Sequence, residues 1–72
     1  MKKTKAAEQL NKFIEDNFWT NQKAALEFSK RGCKSSSENV RMWRNGIGKP
    51  RIHRRPLLER ATNGVVRAKE WK

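Results

Sequence analysis

With 72 residues, the chain is long enough for one small domain, which would bury only about 60% of the surface that its unfolded form exposes. A deep cofactor cavity is not expected in so small a core. The 18 lysines and arginines outnumber the 7 aspartates and glutamates, and the formal net charge of +11 favours a polyanionic partner over an ordinary basic surface.

The single cysteine, Cys33, excludes an internal disulfide and a cysteine-based zinc cluster, and it fits a reducing cytosol. No apolar run approaches the roughly 20 residues that span a bilayer, and the N-terminal letters MKKTKAAEQ lack the apolar core of a signal peptide. We therefore expect a soluble, cytoplasmic protein that makes no membrane contact.

A first helix is predicted over residues 5–18, with Thr4 as its N-cap. Its apolar residues recur at the i, i+3, i+4 and i+7 spacing of a helix with one buried stripe. The members of this stripe are Ala7, Leu10, Phe13, Ile14 and Phe18.

A second helix is predicted to begin after Thr20 and to end at Arg31. Gly32 then supplies the left-handed conformation that commonly ends helices. Trp19, between the two helices, is expected to pack under their corner. The inward-facing residues of the second helix are Ala24, Ala25 and Phe28.

A short third helix is predicted within the stretch SSSENVRMWRNG. Ser35 and Glu38 have the spacing of a capping box, and Gly46 ends the helix. Val40 and Trp43 lie three residues apart and are the only apolar pair on one face. The helix is therefore expected to be buried along a narrow stripe, which leaves its other sides free.

Two prolines, Pro50 and Pro56, bracket a basic connector with the sequence KPRIHRRP. Pro56 suits the first turn of a fourth helix. Leu57, Leu58 and Ala61 are expected to face the core, and the helix is expected to end at Asn63 and Gly64.

After the fourth helix, Val65 and Val66 are expected to extend the core, and residues 67–72 to form a short terminal helix or a tail. Strand signals are weak throughout the chain. The prediction is an all-α domain over residues 1–66 with four helices, or five if the tail is helical.

Catalytic chemistry is poorly supported by the residue types present. His53, the only histidine, has no evident acid or nucleophile partner. Cys33 beside Lys34 is either a thiol of lowered pKa or, as its place at a helix corner favours, a half-buried structural thiol. The letters GIGK lack the spacing of a phosphate-binding loop. We expect no enzyme, catalytic residue, metal site, cofactor or small-molecule substrate.

Cations are dense from Lys30 to Arg55, where Glu38 is the single acid. Such a run is usually a solvated face, but here it flanks a helix rich in outward polar groups. Arginine pairs with guanine and asparagine with adenine at major-groove edges, while other cations meet phosphates. The residues predicted to contact phosphates at the end of the third helix and in the connector are Arg44, Asn45, Lys49, Arg51, Arg54 and Arg55.

Two motifs follow one another in the second half of the chain. The first, V-x-x-W-x-x-G, is formed by Val40, Trp43 and Gly46. The second follows a proline and is formed by Leu58, Glu59, Ala61, Thr62, Gly64 and Val66. With these motifs and the order of its helices, the chain resembles the lambda-repressor-like helix-turn-helix domains over about residues 20–66, and it is similar to small phage Cro proteins and YdaS-type regulators.

The resemblance implies a repressor of Cro type that binds double-stranded DNA in the nucleoid of a bacterial host, with a homodimer as a further possibility. Its dimer surface would be the fourth helix with Val65 to Trp71. Asn21 and Gln22 would approach a phosphate at the start of the second helix. The residues implied to read bases are Ser37, Asn39, Arg41 and Met42.

Two alignments of the second helix with this family are open. If Ala25 is the small packing residue of the family, several extra residues precede Val40. If Ser29 takes that role, about one extra residue remains and Cys33 occupies an apolar position. We favour the alignment through Ser29.

Two other functions are compatible with a small basic chain. An excisionase-like or architectural factor that bends DNA would, in its winged-helix form, need a β-hairpin near residues 46–53. A small RNA-binding protein would expose aromatic residues for stacking. Trp19 and Trp43 lie where a core needs them, whereas Trp71 is expected to be more exposed.

Overall fold

Residues 3–71 are described by the structure, a computed structural model, and they form four α-helices with two short 3-10 turns. The helices are α1 (Lys5–Asp16), α2 (Asn21–Lys30), α3 (Ser37–Arg44) and α4 (Arg55–Ala61). The 3-10 turns cover Ile52–Arg54 and Ala68–Glu70. Because no strand occurs within this part of the chain, the all-α prediction is confirmed.

Side-chain caps determine where α1 and α2 begin. The Thr4 hydroxyl accepts a hydrogen bond from the backbone N–H of Ala7 at 3.1 Å, and the Thr20 hydroxyl accepts one from Lys23 at 3.1 Å. Each bond satisfies a first-turn donor that has no partner within the helix. Both helices therefore start where the sequence predicts.

The capping box of α3 lies one residue beyond the predicted one. Ser36, not Ser35, is the N-cap, and its hydroxyl accepts from the backbone N–H of Asn39 at 3.1 Å. Asn39 Oδ1 accepts in return from the backbone N–H of Ser36 at 3.2 Å. With serines at three successive positions, an adjacent serine can serve as the cap, and Asn39 supplies the return bond in place of Glu38.

The core lies between the helices and is built mainly from small and aliphatic side chains. Val40 and Trp43 are its only members from α3, as predicted, and Trp43 is 4% exposed. Phe13, Trp19 and Phe28 pack against one another with ring centroids 5.5 to 6.3 Å apart. Trp19 therefore packs under the corner of α1 and α2, which confirms its predicted place.

Phe18 is not part of the buried stripe, so this part of the prediction is wrong. The α1 helix ends at Asp16, and Phe18 adopts a left-handed conformation with φ of 57° in the turn that follows. Its side chain is 94% exposed. The helical spacing placed it inward only on the assumption that the helix continues to residue 18.

Residues beyond α4 belong to the fold. The Thr62 hydroxyl accepts from the backbone N–H of Val66 at 3.1 Å, and Val66 is buried while Val65 is exposed. The backbone N–H of Ala68 donates to Glu59 Oε1 at 2.7 Å. Trp71 is 3% exposed, so its expected exposure is wrong. Within the predicted tail, only Lys72 lies outside the described residues.

The segment between α2 and α3 shows a mixed result for the favoured alignment. Cys33 is fully buried, as the alignment through Ser29 requires. Ser29 itself is exposed, and its hydroxyl bonds with the backbone of Ser35 in place of a helix contact. Ala24 and Ala25 are both buried in the core, so the small residues that α2 packs inward are these two alanines. The alignment of this segment with the family stays a prediction.

The connector does not form the β-hairpin that a winged helix needs. Among residues 46–53 the structure has turns and the start of a 3-10 turn, with no strand. Gly46 adopts a φ of 74° and ends α3, and Pro50 is buried. The winged-helix form of the architectural alternative is therefore wrong.

Candidate nucleic-acid interface

The outward side of α3 is polar and accessible, while Val40 and Trp43 are the residues that the helix buries in the core. Ser37 and Arg41 are exposed, and Met42 is half-buried. A β-carbon added at Gly48 would lie 3.3 Å from Met42 Cε, so the methionine packs partly over the turn after the helix.

Glu38 and Arg41 form a two-bond ion pair on this outward side. Arg41 Nε donates to Glu38 Oε1 at 2.7 Å, and Arg41 Nη2 donates to Oε2 at 2.9 Å. The hydrogen bond and charge of Arg41 lower the pKa of Glu38, and the pair raises the pKa of Arg41. Both groups are therefore charged at neutral pH.

Asn39 caps the N-terminus of α3, a role that the sequence did not predict. Its Oδ1 accepts from the backbone N–H and the hydroxyl of Ser36, at 3.2 and 3.0 Å. Adenine recognition by asparagine needs both the oxygen and the amino group of the side chain. While this cap is intact, Asn39 can offer a base only its Nδ2 donor.

Arg44 is half-buried and connects three helices, in contrast to the outward position predicted for it. Its Nε donates to Asn11 Oδ1 and its Nη1 to Asn21 Oδ1, both at 2.8 Å. These bonds fix the end of α3 against α1 and the start of α2. The oxygen of Asn21, a predicted phosphate contact, is used in this way, whereas Gln22 is exposed.

The remaining predicted phosphate contacts are spread over the end of α3 and the connector. Asn45 is exposed, and its Nδ2 donates to the Arg41 carbonyl at 2.8 Å. Lys49 and Arg51 are exposed. Arg55 is half-buried and its Nε donates to the Pro50 carbonyl at 2.9 Å, so it also stabilises the connector.

Arg54 is brought to the start of α3 by the 3-10 turn. A surface cavity of about 300 Å³ lies there, lined by Lys34, Ser35, Ser36, Asn39 and Arg54. Two cations that are distant in sequence thus flank the first turn of α3. Within residues 3–71, neither Lys34 nor Arg54 takes part in a salt bridge, and no acid lines the cavity.

Lys34 is the site residue that the sequence reasoning did not select. It lies between the buried Cys33 and the serines that cap α3, so the burial of its neighbour directs it to the surface beside the helix start. An available signal was its position immediately before the run of three serines. The sequence predicts the cations of this surface at the end of the third helix and in the connector.

The thiol of Cys33 is buried, and its surroundings favour the protonated form. Burial raises the pKa of Cys33, and the charge of Arg54 opposes this only in part. The alternative of a lowered pKa is therefore wrong. No group of three histidine, cysteine or acidic residues that could hold a metal ion occurs among the described residues, and His53 is exposed.

Comparison of the chain with protein-family models, curated proteins and solved structures gives no match. None of the helices in the described part of the chain is both long enough and apolar enough to cross a membrane.

Proposed function

We propose that the chain is a sequence-specific double-stranded DNA-binding protein of Cro type, which regulates transcription in the cytoplasm of a bacterial host. In this proposal α3 enters the major groove with its outward side. The observation that carries the proposal is the cavity at the start of α3, where Lys34 and Arg54 flank the helix without an acidic partner among the described residues.

Two features support α3 as the element that contacts DNA. Val40 and Trp43 are the buried residues of the helix, and the side that carries Ser37, Glu38 and Arg41 is exposed and can meet a groove. Arg44 is bonded to Asn11 and Asn21, which fixes the end of the helix against α1 and α2. A rigid helix with an accessible polar side is what direct reading of base edges requires.

A binding selection from a pool of random duplexes tests the proposal at two salt concentrations. We expect one family of sequences to be enriched, and we expect the affinity of every duplex to fall steeply with salt because counterions are released from the phosphates. Recovery of an unenriched pool, or affinity that does not depend on salt, would contradict the proposal.

A second candidate, the binding of single-stranded RNA, is favoured by one observation. Phe18 is an aromatic residue that is 94% exposed, and such side chains stack on unpaired bases. The burial of Trp71 removes the other aromatic that could have served this purpose. Competition between duplex DNA and single-stranded RNA of the same length separates the two candidates, and we expect the duplex to bind more tightly.

The homodimer on DNA is also part of the proposal, with a smaller surface than the sequence implied. Val65 is 43% exposed and can contribute to a contact between two copies, whereas Trp71 is buried within its own chain. Sedimentation of the protein with and without a selected duplex measures whether two copies assemble on one site.

A further inference from the structure

The proposed DNA-binding face carries an acid whose presence the proposed function does not explain. Glu38 is the single acidic residue between Lys30 and Arg55, and its side chain is 62% exposed on α3. A carboxylate there reduces the attraction for phosphates. An exposed ion pair of this kind contributes little to stability, and an acid in the first turn of a helix adds a modest favourable interaction with the helix dipole. Both contributions are small, so stabilisation of the helix is a weak reason for an acid at this position.

In this ion pair, one edge of the Arg41 guanidinium is bonded to Glu38 and the other edge has no hydrogen-bond partner among the described residues. Nε and Nη2 face the two oxygens of Glu38, at 2.7 and 2.9 Å. Within residues 3–71, Nη1 donates to no other group. Nη1 and the second proton of Nη2 together form a two-donor fork that points away from Glu38.

A fork of this kind matches guanine, which presents the acceptors O6 and N7 in the major groove. An unrestrained arginine has several rotatable bonds and loses conformational entropy when it binds. By holding the other edge, Glu38 restricts Arg41 before DNA arrives. It also offsets the charge that would otherwise draw Arg41 to any phosphate.

We infer that Glu38 is a positioning residue that directs the free fork of Arg41 to guanine and so determines specificity. This inference rests on the proposed function, since it assigns the way in which the same face of α3 distinguishes one duplex from another. The ligand group is the major-groove edge of a guanine, contacted by Arg41, while Glu38 acts through Arg41.

The test compares the wild type with Glu38→Gln on duplexes selected by the wild type and on the same duplexes with each guanine pair replaced. We expect Glu38→Gln to lower the preference for the guanine contacted by Arg41 by about tenfold. Its affinity for a random duplex should rise, because the released Arg41 is free to meet phosphates. Melting curves establish that both proteins are folded.

Two controls separate this role from a general effect of charge. Glu15→Gln removes one exposed acid from α1 and should leave the guanine preference unchanged. In an Arg41→Ala background, Glu38→Gln should have no further effect on that preference, because the two residues act as a unit.

The outcomes distinguish the two proposals. If the wild type enriches no sequence, the proposed function fails and the role of Glu38 fails with it. If the wild type enriches a sequence and Glu38→Gln keeps the full guanine preference, only the role of Glu38 is overturned. An equal loss with Glu15→Gln, or a further loss in the Arg41→Ala background, would also overturn it.

Discussion

The helices α1 and α3 use their residues for different purposes. α1 buries four residues (Ala6, Ala7, Leu10 and Ile14) along twelve positions, and α3 buries two along eight. The acids Glu8 and Glu15 lie on α1, whereas cations from two other segments gather at the start of α3. A third of the α1 positions and a quarter of the α3 positions are therefore buried, so the two helices differ more in the charges around them than in their packing. The free positions of α3 are available for a partner.

The largest expected effect is on the stability of the protein, when a core residue of α3 is removed. Trp43 is 4% exposed, and Trp43→Ala should cost roughly 3–5 kcal/mol of unfolding free energy. That loss is comparable to the whole stability expected of such a domain. We expect the variant to unfold and to lose DNA binding as a consequence, as thermal melting without DNA would reveal.

Met42→Ala is the matched control for Trp43→Ala because Met42 is adjacent and only half-buried. Its thermal midpoint should change much less, while affinity or base preference changes. A stable Trp43→Ala variant beside an unfolded Met42→Ala variant would mean that the inward and outward sides of α3 are exchanged.

A smaller effect, on DNA affinity, is expected when Arg41 on the outward side of α3 is replaced. Arg41→Ala should weaken binding to the best selected duplex by about 1–3 kcal/mol. The loss on random duplexes should be smaller, since no guanine contact is removed there. Titrations on both duplexes check this, and equal losses would assign Arg41 to the phosphate contacts.

The cations beside the cavity should affect every sequence alike. Replacement of Lys34 and Arg54 by alanine should flatten the log–log salt dependence by about 0.9 for each phosphate contact removed. Replacement of Lys12 and Lys69, both exposed, removes the same charge far from α3 in sequence. An unchanged slope for the first pair, or an equal change for both pairs, would place Lys34 and Arg54 away from the DNA.

The smallest effect concerns the turn after α1. Phe18 has a φ of 57° and a fully accessible side chain, so Phe18→Asn relieves backbone strain with little loss of burial. We expect about 0.5–1 kcal/mol of added stability. Asn63 has a φ of 56° and is also exposed, so Asn63→Phe should have the opposite effect. A lower melting temperature for Phe18→Asn would contradict this account.

Much of the fold follows from the sequence because local signals are consistent with it. Thr4 and Thr20 begin helices where they can cap them, Gly32 ends α2, and the spacing of Val40 and Trp43 identifies the inward side of α3. Each of these depends on neighbours within a few positions, so the sequence alone contains the information.

Apart from the end of α1 and the choice of serine that caps α3, the errors arose where contacts between distant residues decide the outcome. The burial of Trp71 and the bonds of Arg44 to Asn11 and Asn21 depend on how the helices pack, which no local pattern specifies. The approach of Arg54 to Lys34 is likewise a consequence of the path of the connector. For the candidate site, Arg54 was therefore predictable from the sequence, but Lys34 and the place where the two cations meet were not.

The central claim is that the outward side of α3 and the adjoining cavity, and not α1, contact DNA. Titration of the isotopically labelled protein with a selected duplex, followed by NMR, tests it directly. We expect the largest backbone shifts at Lys34, Ser37, Arg41 and Arg54, with little change at Glu15. Shifts centred on α1, or the absence of any shift at salt concentrations low enough for binding, would contradict the account.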